Sequence, residues 1–139
     1  MRAALSAIVA GCAVLAGAAL LPIGSLRWQE GFADSYDLVA PIPATAENVA
    51  RGRALYHSQS RCVSCHGVRG RGDGPLASSL TPPPADLVLH VPQHPDGELF
   101  WYVSRGSPGT AMPAWDTVLG EEDRWSLVHY LRELAAGAP

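Results

Sequence analysis

Lysine is absent from this 139-residue chain, so its ten basic residues are all arginine, and against 13 acidic residues they leave a net charge of −3. A nucleic-acid role, which rests on a strongly basic face, is excluded on that balance. Cysteine is nearly absent as well: only Cys12, Cys62 and Cys65 occur. Three thiols cannot make a disulfide framework, nor close a zinc site, which takes four ligands, without recruiting scattered histidines. Beyond the initiator there is a single methionine, Met112, so the chain owns one internal thioether. Long apolar runs are missing everywhere except at the N-terminus, and one small domain plus an appendage is all that this length supports.

What is present centres on Cys62-Val63-Ser64-Cys65-His66. Two thiols at this spacing can add across the two vinyl groups of a haem, and the histidine that follows is placed to coordinate its iron. A dithiol redox site would use the same spacing between a strand and a helix. Here the residues before Cys62 read as a helix and those after it as a glycine-rich loop. The second axial position has Met112 as its candidate, in Gly109-Thr110-Ala111-Met112-Pro113-Ala114-Trp115. Pro113 holds Met112 in extended backbone and stiffens the loop that presents the sulfur. The alternatives are that Met112 only fills core space, or that His57, His90, His94 or His129 takes its place. His90 and His94 are four apart, but Pro92 between them prevents one shared helical face.

Two longer helices frame this region. Thr45 caps a helix beginning at Ala46, with Glu47 in its first turn and Val49, Leu55 and Tyr56 inward. The closing helix starts at Glu121, Glu122 and Asp123 and carries an apolar stripe of Trp125, Val128, Leu131 and Leu134. Gly52 is a costly residue in mid-helix unless another backbone must approach it. Residues 98–105 read as a short amphipathic helix with Asp96 as its cap, and residues 67–84 as a loop ending in three prolines.

Residues 3–23 are almost continuously apolar and would reach ~30 Å as a helix, about the thickness of a bilayer core. We read residues 1–25 as a membrane anchor or signal segment, 26–44 as a linker and 45–137 as the haem-bearing domain. A retained anchor competes with a cleaved signal ending near Ala18 and with a lipid attachment at Cys12. A free linker of that length would span ~20 Å and let the domain swing near the membrane.

From about Ala46 to Leu134 the chain resembles the class I c-type cytochromes. The pieces occur in that family's order: Gly52 and Tyr56 on a helix, then Cys62 to Gly67, then Gly74-Pro75, then the Met112 segment, then a helix with Tyr130-Leu131. The resemblance implies an all-α fold, a small helical domain wrapped around one covalently bound haem c and preceded by an N-terminal transmembrane helix. It implies Cys62 and Cys65 as the attachment points, His66 and Met112 as iron ligands, and the Pro75 carbonyl as acceptor of the His66 Nδ1 hydrogen bond. Tyr130 is the expected neighbour of Gly52, and the Trp115 indole is a candidate donor to a haem carboxylate. The gap between Tyr56 and Cys62 is about two residues longer than the bacterial pattern of the family. The implied function is electron transfer rather than catalysis, between a redox donor and acceptor of a bacterial respiratory chain, with the haem domain on the periplasmic side of the cytoplasmic membrane. An electron-transfer subunit of a larger membrane complex is the second expectation, and an open-site haem sensor or peroxidase the third. Arg61, Arg69 and Arg71 flank the haem motif and are candidates to steer an acidic partner.

Overall fold

The computed structural model describes residues 29, 31–58 and 61–137. Among them there is helix and turn but no strand. The α-helices used below are α1 (Ala46–His57), α2 (Val63–His66), α3 (Leu87–His90), α4 (Asp96–Arg105) and α5 (Glu121–Ala135). Three-residue 3-10 turns lie at Ser35–Asp37, Ala77–Ser79 and Val91–Gln93.

Helix α1 begins where Thr45 Oγ1 accepts the amide of Asn48 at 3.2 Å, which satisfies one of the open N–H groups of the first turn. It packs across α5, and Gly52 lies at the crossing. A Cβ there would fall 2.6 Å from the Ser126 carbonyl carbon and 2.8 Å from Tyr130 Cβ, and closer still to the Ser126 oxygen. No other residue permits that approach, so Gly52 is in mid-helix for its lack of a side chain. Beside it the rings of Tyr56 and Tyr130 meet edge to face at 5.3 Å. Arg51–Asp123 (2.6 Å) and Arg53–Glu133 (3.1 Å) bridge the two helices at the exposed rim, where ion pairs add little.

The inner stripe of α5 is buried as its spacing predicts, with Trp125, Val128, Leu131 and Leu134 joined by Leu127 and Tyr130. Trp125 stacks on Phe100 of α4 at 4.2 Å, and the Arg124 guanidinium covers the outer face of that ring region at 4.7 Å. These contacts lock α4 to α5. Helix α4 starts at Asp96, two residues earlier than its apolar pattern suggests, with Pro95 in the cap position and no side-chain cap bond. The Asp96 carboxylate is otherwise engaged, accepting from Arg132 Nε of α5 at 2.6 Å.

Much of the segment read as a linker is docked on the domain. Residues 31–34 are helical and run into the Ser35–Asp37 turn, where Ser35 is buried and its hydroxyl donates to the Phe32 carbonyl at 2.7 Å. The Phe32 ring meets Tyr102 edge-on at 5.5 Å. Gly97 allows the turn to approach α4, since a Cβ there would strike Leu38 Cβ at 2.9 Å and the Ser35 carbonyl sooner. Further along, Ala40 and Ile42 pack on the core, and the Ile42 carbonyl accepts from His129 Nε2 at 3.0 Å. The free swing expected from composition therefore does not apply to residues 31–44. The contacts come from single apolar residues without a helical or strand period, the pattern that composition reads as loop. No helix among the described residues is long and apolar enough to cross a membrane, and the 1–25 segment lies outside them.

Candidate functional site

The Cys62–His66 motif forms one helical turn. Cys62 has helical backbone angles, its carbonyl accepts from the amides of Cys65 (3.1 Å) and His66 (2.8 Å), and Gly67 at φ 79° ends the turn. The open carbonyls of this short helix are then taken by the glycine-rich loop as it folds back. Gly72 donates to His66 (2.9 Å), Gly74 to Cys65 (3.0 Å) and Leu76 to Ser64 (2.9 Å). The buried Tyr56 hydroxyl donates to the Gly67 carbonyl at 2.7 Å and ties the turn to α1. No disulfide joins Cys62 to Cys65.

His66 Nδ1 donates to a backbone carbonyl at 3.0 Å, and that carbonyl belongs to Ala85, not to Pro75. Gly74 and Leu76 are held against the carbonyl side of α2, which commits the Gly74-Pro75 turn to bracing the helix. The chain reaches the imidazole only after Pro82–Pro84, where Asp86 caps α3 by accepting the amides of Val88 and Leu89. Burial pushes the His66 pKa down, and the bond to Ala85 opposes this in part. The ring is therefore neutral near pH 7. With its Nδ1 proton committed to Ala85, it keeps the Nε2 lone pair for a metal.

Cys62, Cys65, His66, Met112 and Trp115 all line one cavity of about 620 Å³, walled by Leu76, Leu80, Leu99, Val103 and Leu131. Pro75 is exposed and stands outside its lining. The Met112 segment is fixed on the end of α4. Trp115 donates to the Ser104 carbonyl (3.1 Å) and Asp116 to the same atom (3.2 Å), while Arg105 pairs with Asp116 at 2.9 Å. Within the loop, the Met112 amide donates to Thr110 Oγ1 at 3.1 Å and the Met112 carbonyl accepts from Ser107 at 3.3 Å.

Of the other histidines, His57 faces the Tyr130 hydroxyl (3.4 Å) and His129 is bound to Ile42, and neither lines the cavity. His90 and His94 do line it. His94 Nδ1 pairs with the buried Glu98 carboxylate four residues on at 3.0 Å, a contact not expected from reading His94 as a loop residue ahead of α4. Arg61 borders the cavity mouth and Arg69 is exposed, whereas Arg71 is within 3.6 Å of Asp86. The donor set fits a covalently attached haem: two thiols three residues apart, a neutral imidazole oriented through its far nitrogen, a thioether and an apolar wall.

Comparison with known proteins agrees with this geometry. Residues 47–131 match the family described as cytochrome c oxidase, cbb3-type, subunit III. The chain is 36% identical over 108 residues to cytochrome c55X of Stutzerimonas stutzeri, covering 74% of this chain and 86% of that protein. It also resembles a chain in the solved Kuenenia stuttgartiensis reducing HAO-like protein complex, with a TM-score of 0.61 and 30% identity over 68% of this chain. It spans 46%, less than half, of that neighbour's length.

Proposed function

Because this chain belongs to the c-type cytochromes, within the family of cytochrome c oxidase, cbb3-type, subunit III, we propose how its residues hold the haem c and serve electron transfer. Cys62 and Cys65 would hold the haem through thioether links, and His66 and Met112 would ligate its iron. Once bound, the haem supplies a one-electron couple. The polypeptide orients the imidazole through Ala85, presents the thioether from a loop anchored on α4, and keeps water from the metal with an apolar wall. A sulfur ligand and a low-dielectric surround both disfavour the extra charge of the oxidised state, so the potential is comparatively high. The observation that carries this reading is the meeting of both thiols, a neutral histidine and the one internal thioether in a single cavity.

With His66 and Met112 both spent as ligands, no substrate would reach the metal, and the chain would act as an electron carrier rather than an enzyme. Residues 1–25 hold it to the bacterial cytoplasmic membrane with the haem domain, residues 45–137, on the periplasmic side, in a respiratory chain. Service as one subunit of a larger redox complex is a second reading. The solved neighbour, itself taken from a protein complex, favours it. The experiment is spectroscopy on the full-length holoprotein. A haem that resists acidified organic solvent, a weak long-wavelength sulfur-to-iron band in the ferric form and no response of the ferrous form to carbon monoxide are expected. Extractable pigment would overturn the attachment, and a carbon monoxide adduct would overturn the closed-site carrier in favour of a sensor or peroxidase.

A further inference from the structure

We propose that His94 and Glu98 form a proton-binding pair on the wall of the haem cavity, taking up one proton from solvent when the site gains an electron. The inference rests on the haem reading above and concerns residues that it leaves without a role. Glu98 is 3% exposed, in the first turn of α4. Its Oε1 meets His94 Nδ1 at 3.0 Å, while its Oε2 is buried with no hydrogen-bond partner among the described residues. A buried, half-satisfied carboxylate is costly, and a protonated imidazole beside it is the partner that offsets the cost. His94 itself lines the cavity and keeps 29% of its side chain exposed, which gives the proton a path to water.

The surrounding charges leave this pair to itself. From α5, Arg132 spends its guanidinium on Asp96 Oδ1 (2.6 Å), the Val91 carbonyl (2.6 Å) and the His94 carbonyl (2.5 Å), which fixes the His94 backbone without neutralising Glu98. From α4, the Tyr102 ring meets His94 edge-on at 6.1 Å, and its hydroxyl is kept protonated by burial, by Glu98 and by Tyr36 of the preceding turn. From α3, His90 lines the same cavity and Asp86 is turned to its own helix cap and to Arg71.

With Nδ1–H donated to Glu98, the proton binds at Nε2, forming one N–H bond and breaking none in the protein. The pair then passes from one negative charge to none as the electron arrives from the donor protein, so the two charges balance. Taking a separation of about 12 Å and an effective dielectric of about 20, a unit charge changes proton affinity about tenfold. By reciprocity the bound proton raises electron affinity by the same factor.

The test is the midpoint potential of the holoprotein measured from pH 5 to 9. The wild-type potential should fall with rising pH across a limited window and be flat outside it. A tenfold coupling is a total fall of about 59 mV for one electron. His94→Asn should flatten the profile with an unchanged visible spectrum, and Glu98→Gln, which removes the anion, should move the window to lower pH. A flat wild-type profile, a slope that survives His94→Asn, or a His94 variant that loses its low-spin spectrum would overturn the pair. The sulfur-to-iron band in the same samples reports separately on the ligand reading. Its absence in wild type defeats that reading, while its presence with a flat profile defeats only the pair.

Discussion

Gly52→Ala isolates the packing on which the haem turn depends. On an exposed helix this change stabilises by about 1 kcal/mol. Here the new Cβ would lie 2.6 Å from the Ser126 carbonyl carbon and 2.8 Å from Tyr130 Cβ. A normal contact needs roughly 3.3 Å or more, and the obstacle is helix backbone, which no rotamer change can move aside. Helices α1 and α5 must separate by several tenths of an ångström along their whole crossing, loosening the Tyr56–Tyr130 contact. Overpacking of this kind costs about 1–3 kcal/mol, and a backbone obstacle belongs at the upper end. Subtracting the helix gain leaves a net loss of about 2 kcal/mol, or some 8–16 °C in Tm for a domain of this size. The assay is thermal unfolding of the holoprotein followed at 222 nm, with haem absorbance read in parallel. Because Tyr56 holds the Gly67 carbonyl, the haem band should change before the helix signal is lost. A variant as stable as wild type would refute the claim that this crossing limits the domain.

Met112→Ala should abolish the ferric long-wavelength band and let the ferrous form bind carbon monoxide; retention of the band would show that the thioether is packing only. Tyr56→Phe should cost about 1–2 kcal/mol through the lost bond to Gly67, measured by denaturant unfolding. The same variant has a pH signature, because burial above all raises the Tyr56 pKa. Above about pH 10 the unfolded tyrosine ionises while the native one keeps its proton, so wild-type stability falls as pH climbs. Tyr56→Phe should lose less stability there, although Tyr102 and Tyr130, also raised, preserve some slope; an equal alkaline loss would refute the assignment. Reversing Arg61 and Arg69 to Glu should slow electron transfer to an acidic redox partner about tenfold at low salt. A rate independent of both salt and substitution would remove these residues from the docking surface.

Side-chain chemistry was legible in the sequence, and backbone chemistry was not. Cys62, Cys65, His66, Met112 and Trp115 are each of a type whose function shows in its atoms, and they meet in one cavity. Thr45 capping α1 followed from helix geometry and the close approach at Gly52 from steric need, while Tyr130 as its neighbour came from the family resemblance. The acceptor for His66 is a carbonyl, which every residue owns, so neither residue type nor spacing separates Ala85 from Pro75; only the path of the loop decides. The docking of residues 31–44 was hidden for a related reason. It rests on Phe32, Ser35 and Ile42 used one at a time, without a repeating face. Arg132 was invisible as a clamp because two of its three partners, Val91 and His94, offer only their carbonyls.

That dependence on backbone bears on electron transfer itself. Each proposed ligand sits beside a helix end whose open carbonyls are closed by amides from a distant loop: Gly72, Gly74 and Leu76 for α2, Trp115 and Asp116 for α4. Such bonds persist whatever the charge inside the cavity, because neither donor nor acceptor titrates. The proposed ligands should therefore keep the same positions before and after an electron arrives, so that little nuclear motion opposes the transfer. Response to the electron is left to groups that can change charge, and on this wall our proposal assigns it to the buried Glu98 with His94. A rigid backbone frame and one soft protonic contact thus divide the work. A potential that depends on pH while the sulfur-to-iron band stays constant is the behaviour this division requires.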